Sequence, residues 1–263
     1  MSLEWDASEY EAVSGPQTGW GADFIGVFLE RRGLRGDEAA IDVGCGTGRV
    51  TELLLRNLPN GTVLAVDASE DMVEAARRRF AGDPRVRVEW CDVLRLEVEE
   101  PVDVIFSTAT FHWIMDHERL FGRLAKLLKP GGRLVAQCGG TGNIARTLAV
   151  TERVVTEERF RDAFAGWEEG WNFVGPEVTK ARLEAAGFED VETWLHEEFT
   201  QFASVSALAR FLRTVVLKHH LSFLPVGKWD SFAHAVAERL AEEWSLVVDY
   251  VRLNMLATRS GSA

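Results

Sequence analysis

Cysteine is scarce. The 263-residue chain has three, Cys45, Cys91 and Cys138, odd in number and far apart. That excludes a disulfide framework and a structural zinc set, and no metal is expected; reduced thiols fit instead. Basic charge is short as well. Against 41 aspartates and glutamates stand 29 lysines and arginines, a formal net charge of −12, whose field repels phosphate backbones and anionic lipid heads. Nucleic acid and membrane are therefore not expected as partners. No stretch approaches the ~18 apolar residues of a membrane span, and the opening MSLEWDASEYEAVSGPQ carries neither a basic segment nor an apolar one, so the expected location is cytoplasmic. Internal repeats, low-complexity tracts and long Pro/Ser-rich linkers are also missing, which favours one domain over two independent ones. What is present, 46% hydrophobic and 27% charged residues, is globular composition with a sizeable core.

From residue 39 onward, short apolar runs alternate with amphipathic stretches, the pattern of a parallel sheet covered by helices. The runs are 39–43, 62–67, 85–90, 102–108 and 132–138; helices are expected over 49–58, 69–81 and 117–128, the last stopped by Lys129-Pro130-Gly131-Gly132. Trp20, Phe24, Val27 and Phe28 make one apolar stripe on a helix starting near Gln17. Beyond the core, Leu208, Phe211, Leu212, Val215 and Val216, then Trp229, Phe232, Ala233, Val236 and Leu240, predict two more helices. Residues 183–187 read as a helix end with its glycine, and 188–199 and 246–256 have strand composition and could complete the sheet. The expected organisation is a single domain, 1–263, with an N-terminal helical lid (1–35), a cofactor-binding core (36–140) and a C-terminal part (141–263) that holds an α-helical cap, built from 141–175 and 200–244, and the last two strands.

The most informative segment is Ile41-Asp42-Val43-Gly44-Cys45-Gly46-Thr47-Gly48-Arg49, where the first strand passes into the first helix. Glycines permit positive φ and close ligand approach, and the helix N-terminus offers free N–H groups; a tight turn with no ligand is the bland alternative. A dinucleotide fingerprint needs a glycine where Arg49 stands. Asp42 would repel a pyrophosphate but favour a ligand carrying ammonium and sulfonium charges, which points to S-adenosylmethionine. Asp67, ending the second run, suits both ribose hydroxyls, or else supplies an N-terminal charge to the next helix. Asp92 could take the adenine amino group with Val93 covering the ring, or remain a solvated strand end.

With Asp42-Val43-Gly44-Cys45-Gly46-Thr47-Gly48, Val66-Asp67-Ala68-Ser69, Cys91-Asp92-Val93 and Leu127-Leu128-Lys129-Pro130-Gly131-Gly132 in view, residues 10–140 resemble the class I S-adenosylmethionine-dependent methyltransferases. Phe106-Ser107-Thr108-Ala109-Thr110-Phe111-His112-Trp113 and Asp116-His117 are similar to the trans-aconitate methyltransferase group. The resemblance implies an α/β, Rossmann-like, mostly parallel seven-stranded sheet with helices on both faces, its last strand antiparallel, and cofactor across the carboxyl ends of the first strands. It also implies a cofactor set of Tyr10, Gln17, Asp42, Gly44, Cys45, Gly46, Gly48, Asp67, Ala68, Met72, Cys91, Asp92, Val93, Ser107 and Thr108, with Tyr10 and Gln17 closing over the methionine end. Ser107-Thr108 departs from the Ser-Asn common in relatives. The C-terminal third does not match aconitate binding motif by motif, so the substrate does not transfer.

Methyl transfer from a sulfonium is an in-line displacement that asks the protein mainly to align donor and acceptor and exclude water. A carboxylate acceptor needs no base; a phenol, alcohol or ammonium does. His112 is the candidate base or orienting group, against a role in capping or packing the next helix. Trp113 reads as a wall. Trp171, Asn172 and Phe173, one of His219 and His220, and Arg252 with Asn254 are pocket candidates; Arg252 pairs with an acceptor carboxylate or with a surface partner. The expected function is methylation of a small molecule, by family likeness at oxygen. A non-catalytic S-adenosylmethionine-binding protein and a nicotinamide-dependent oxidoreductase are the alternatives, the latter opposed by Arg49 and Asp42. Oligomeric state is left open.

Overall fold

The computed structural model describes residues 5–168 and 170–261. Seven strands form one sheet in the order β3-β2-β1-β4-β5-β7-β6: β1 Ala39–Val43, β2 Thr62–Asp67, β3 Val86–Trp90, β4 Val102–Thr108, β5 Leu128–Gly139, β6 Phe188–Gln201 and β7 Val247–Arg259. The first five run parallel, and β7 runs antiparallel between β5 and β6. The antiparallel last strand and the position of every expected strand are as the sequence implies.

Alternation along each strand sorts side chains onto two faces. Ile41, Ile105, Leu134 and Leu253 meet Leu120, Phe121 and Leu124 of α5 (His117–Leu127) and Leu183 of α7 (Pro176–Ala185) on one face. Ala40, Val63, Val104 and Phe106 meet Phe24 and Phe28 of α2 (Gly15–Arg31) and Leu54 of α3 (Arg49–Leu55) on the other. Each fully buried Leu or Phe among them contributes about 1.5–3 kcal/mol of transfer free energy. A third cluster joins α6 (Ala145–Val155), α8 (Val205–Phe211) and α10 (Trp229–Glu243) to Val248 and Tyr250 of β7 and to Trp20 of α2. This is the material of the expected cap.

Order 3-2-1-4 places a topological switch between β1 and β4, where loops leave in opposite directions and open a crevice at the strands' carboxyl ends. Several boundaries depart from the sequence reading. The helix after the glycine loop ends at Leu55, not 58, because Asn57 and Leu58 donate to Leu54 and Leu55 in i→i−3 bonds ahead of Pro59. β5 begins at Leu128, not 132: Leu128 pairs with Val102, and Gly131, with φ +77°, bends the chain inside the strand. The helix over 208–216 is α8 followed by a π-helical turn, Leu212–Val216. A short helix, α1 (Ala7–Val13), precedes α2. Among the described residues no helix is long and apolar enough to cross a membrane.

Candidate active site

Gly44, Gly46 and Gly48 all have positive φ, but for different reasons. A Cβ on Gly44 would lie 2.0 Å from Thr110 Oγ1, and one on Gly48 2.5 Å from Phe80, so the protein's own packing requires both glycines. At Gly46 a Cβ would meet nothing within 4 Å. Its backbone faces free space, as a ligand cradle must. Gly46 N–H donates to Asp67 Oδ2 at 2.8 Å and Ser69 N–H to Asp67 Oδ1 at 2.9 Å, which tie the end of β2 to the loop. Asp42 is 1% exposed and accepts from Thr51 Oγ1 at 2.6 Å. It therefore lies beneath the loop, not on its rim, and reaches a ligand through its field.

Burial pushes the Asp42 carboxyl up to about 7, against the Thr51 hydroxyl, which favours its charge, and with help from the Asp67 charge. Burial raises Asp67 as well, against the N–H groups of Ser69, Gly46 and Ala68. Neither carboxylate has an ion-pair partner among the described residues. A buried and a half-buried carboxylate without a counter-cation, beside open space at Gly46, fit a ligand that brings positive charge and hydroxyl donors. Further along the same edge, Cys91 is half-buried and Asp92 exposed, its carboxylate accepting Leu94 N–H at 2.9 Å, while Val93 is buried against the sheet. Ala68 is exposed and Met72 buried in α4 (Glu70–Arg79). Ser107 Oγ donates to Val43 O at 2.8 Å and so bridges β4 to β1, and Thr108 O accepts from Thr110 Oγ1.

After β4, Ala109 takes φ +56°, a left-handed conformation that costs a non-glycine residue about 1–2 kcal/mol. The turn it makes sends residues 111–113 back over the sheet. Asp116, not His112, caps α5, and His117 Nε2 braces Phe111 O at 3.0 Å. His112 is thereby free to face a narrow chamber of about 50 Å³. Tyr10, Gln17, Trp113, Trp171 and Arg252 line it with His112, which brings those six expected residues together. Trp5, Trp20, Ala109, Asn143, Ile144, Phe173, Val215, Val216 and Tyr250 complete the walls. Of these the sequence reading placed only Phe173 in a pocket; Trp20 and Tyr250 sit in patterns that read equally as core.

Four expected pocket residues are elsewhere. Asn254 lies outside the chamber walls, its Oδ1 accepting from Gln137 Nε2 at 2.8 Å. Asn172 braces the His112 turn: its N–H donates to His112 O at 2.8 Å and its amide to Met115 O at 2.8 Å. His220 is buried against Trp167, rings stacked at 5.0 Å, and its ring is pushed down to about 3 by burial. His219 Nε2 bonds Glu168 O at 2.8 Å. Among the described residues no cluster of His, Cys, Asp and Glu could hold a metal ion.

Within the chamber, Gly139 N–H donates to His112 Nδ1 at 3.2 Å, and Nε2 has no partner among the described residues. Burial, then the charges of Arg252 and His117, hold His112 well below the usual imidazole range, so it is neutral. Arg252 is 2% exposed, with no carboxylate within 4 Å among the described residues; it reaches Gln137 Oε1 at 3.4 Å and stacks on Trp20 at 4.8 Å. An unpaired buried guanidinium costs several kcal/mol unless an anion joins it. Gln17 Oε1 and Tyr250 Oη are buried without partners. Tyr10 sits within the fields of both Asp67 and Arg252, its phenol pushed up to about 12 by burial and then by Asp67, so it marks where loop and chamber adjoin. A wider groove of about 430 Å³ lies at the opposite, amino end of the strands, but its cations are paired: Arg32 with Glu192, Arg35 and Lys129 with Asp103, Arg133 with Glu38.

Comparison with known proteins agrees with this geometry. A family model described as a methyltransferase domain matches residues 40–132. A trans-aconitate 2-methyltransferase of Rhizobium rhizogenes is 34% identical over 94% of this chain and 93% of its own length. One from Sinorhizobium medicae is 27% identical over 98% and 100%. Among solved structures, Haemonchus contortus phosphoethanolamine N-methyltransferase 2, in complex with S-adenosyl-L-methionine, superposes with a TM-score of 0.63 at 19% identity, over 97% of this chain and 56% of that longer one, a likeness of fold. The chain belongs to the class I S-adenosylmethionine-dependent methyltransferases, and is an enzyme that methylates a small molecule with S-adenosylmethionine.

Proposed function

We propose that this enzyme transfers the methyl group to a carboxylate oxygen of a small organic acid. The observation that carries this reading is the bond from Gly139 N–H to His112 Nδ1. A neutral imidazole has one proton; with Nδ1 accepting, the hydrogen-bond pattern assigns that proton to Nε2, and no ring lone pair is left to face the chamber. His112 in this state donates and cannot serve as a base. Tyr10 and Tyr250 hold their protons far above neutrality. A carboxylate acceptor is ionised at neutral pH and needs no base, and Arg252 with His112 Nε2–H offers it the charge and the donor it needs. The names of the relatives, which specify an acid, support the same chemistry.

S-adenosylmethionine, when bound, supplies a methyl group on a cationic sulfur. The chain's own contribution is then positional. Asp42, Gly44, Cys45, Gly46, Gly48 and Asp67 would hold the charged and ribose portions, with Ala68, Met72, Cys91, Asp92 and Val93 toward the adenine and Ser107 and Thr108 supporting the loop. Residues 1–35 act as the lid, with Tyr10 and Gln17 on its inner side; 36–140 as the cofactor core; 141–263 as cap and last strands. Arg252 and His112 fix the acceptor oxygen, and the tryptophans exclude water. Orientation of this kind supplies on the order of 7–11 kcal/mol of barrier lowering.

Two measurements test the reading. The product should be a base-labile methyl ester, and kcat should stay flat between about pH 6 and 9, since no group titrates to create a base. His112→Ala should lower kcat/KM about 10- to 100-fold, whereas His112→Gln, which keeps a donor near the Nε2 position, should retain most of it. A rising alkaline limb, or equal losses in both variants, would make His112 a base and the acceptor a protonated group.

A further inference from the structure

We infer that the acceptor is a monocarboxylic acid with a flat aromatic body, not a di- or tricarboxylate; the inference rests on the carboxylate reading above. Arg252 is the one charged residue among the described chamber walls. His112 adds a single neutral donor, because Gly139 fills its other nitrogen. One guanidinium neutralises one carboxylate and leaves no cation for a second, to which Tyr10, Gln17, Asn143 and Tyr250 offer only neutral groups.

The rest of the surface carries no charge that would neutralise a second carboxylate. Trp171 and Phe173 stack with their planes 10° apart, and the His112 ring lies 33° from Phe173 and 39° from Trp113. These rings give the chamber an aromatic wall beside Arg252. A carboxylate laid against it would meet the negative faces of the rings without a donor, while an aryl group would bury its area there. Asn143 Oδ1 accepts Val251 N–H at 3.0 Å, so its side chain offers only neutral amide N–H donors and no charge.

Nearby cations outside the chamber are occupied. Arg213 pairs with Glu9 and Asp230, and Arg49 bonds Glu11 O and Ser14 Oγ. The Lys218 ammonium lies against the rings of Trp5 and Trp229. A tricarboxylate would therefore bring two charges that the closed site does not neutralise. This separates the chain from what its relatives' names specify.

The test uses the full-length enzyme with cinnamate, phenylacetate, succinate and trans-aconitate, plus a phenol and an amine. It reads kcat/KM for each and, with S-adenosylhomocysteine present, Kd from tryptophan quenching. Cinnamate or phenylacetate should exceed trans-aconitate by about 100-fold in kcat/KM. Trp171→Ala should lower that preference about tenfold by removing the wall. Trans-aconitate or succinate as the best acceptor, or no ranking among the acids, overturns the aromatic monocarboxylate while leaving carboxyl methylation intact. Turnover of the phenol or amine alone overturns both. If no compound turns over, the Kd ranking decides, and aromatic acids binding no tighter than trans-aconitate defeat the inference.

Discussion

A single backbone N–H decides what His112 can do, and a single methyl-sized space decides what Gly46 is for. The expectation that His112 was either a base or an orienting group was as far as residue type could go, since the sequence does not say that Gly139, 27 positions on, brings its N–H to Nδ1. The glycines show the same limit: three looked alike in the text, and only packing separates Gly44 and Gly48, which seat Thr110 and Phe80, from Gly46, which faces space. Gly44→Ala should lower Tm with or without cofactor. Gly46→Val should chiefly abolish S-adenosylmethionine binding by calorimetry, with only the ~1–2 kcal/mol cost of its positive φ on stability. Asp42 gives a pH signature. Its folded-state value of about 7 lies above the ordinary aspartate value of 3.8, so the folded apoprotein holds an extra proton, and the stability this contributes is lost as pH rises from about 4 through 7. A cationic ligand draws that value back down, so binding should expel a proton and tighten by up to about tenfold per pH unit until near pH 7, then level off. Calorimetry in buffers of different ionisation enthalpy reads the proton; Asp42→Asn should flatten the profile.

Among the elements, those that carry an apolar period were legible and those with polar residues on the inner face were not. α6 buries Thr147, Val150, Thr151 and Val154 at helical spacing, but two of the four are threonines, whose hydroxyls bond Asp249 and the Thr147 carbonyl, so no apolar stripe marks it. The π turn at 212–216 is equally silent in sequence, though it turns Val215 and Val216 to the chamber. α1 has only seven residues, fewer than an isolated helix needs in water. Its place is set by charge: Glu9 pairs with Arg213 of the π turn and Glu11 with Arg79 of α4, while Arg49 holds the Glu11 carbonyl and Ser14. Since each pair is partly exposed and worth at most about 1 kcal/mol, Arg79→Ala with Arg213→Ala should raise the KM for cofactor about three- to tenfold and expose residues 5–14 to proteolysis, with little change in Tm. Unchanged KM and unchanged cleavage would mean that the lid is held by Trp5 and Tyr10 packing alone.

At the scale of the whole molecule, the chamber is walled on its buried side by the cap cluster, through Trp20, Val216 and Tyr250. The core, strand order and cofactor loop could be read from the chain because they rest on local periodicity and one glycine motif. The chamber could be read only in part: Tyr10, Gln17, His112, Trp113, Trp171, Phe173 and Arg252 could be picked out one by one, but its walls draw on positions from 5 to 252 that only the closed fold brings together. Around it the protein carries a net charge of −12, and this sets opposite salt dependences for the two ligands. S-adenosylmethionine is a net cation near pH 7 and is drawn in by the global field; the acid acceptor is repelled until it reaches Arg252. The field extends about 30 Å at 0.01 M salt and only about 8 Å at 0.15 M. Raising the salt between those values should lower the association rate of S-adenosylmethionine about two- to threefold, and raise kcat/KM for the acid by a similar factor at saturating cofactor. Stopped-flow tryptophan quenching reads the first and initial rates the second. A fall in both would mean that the acceptor is not an anion, because only an ion of the protein's own sign is helped by screening.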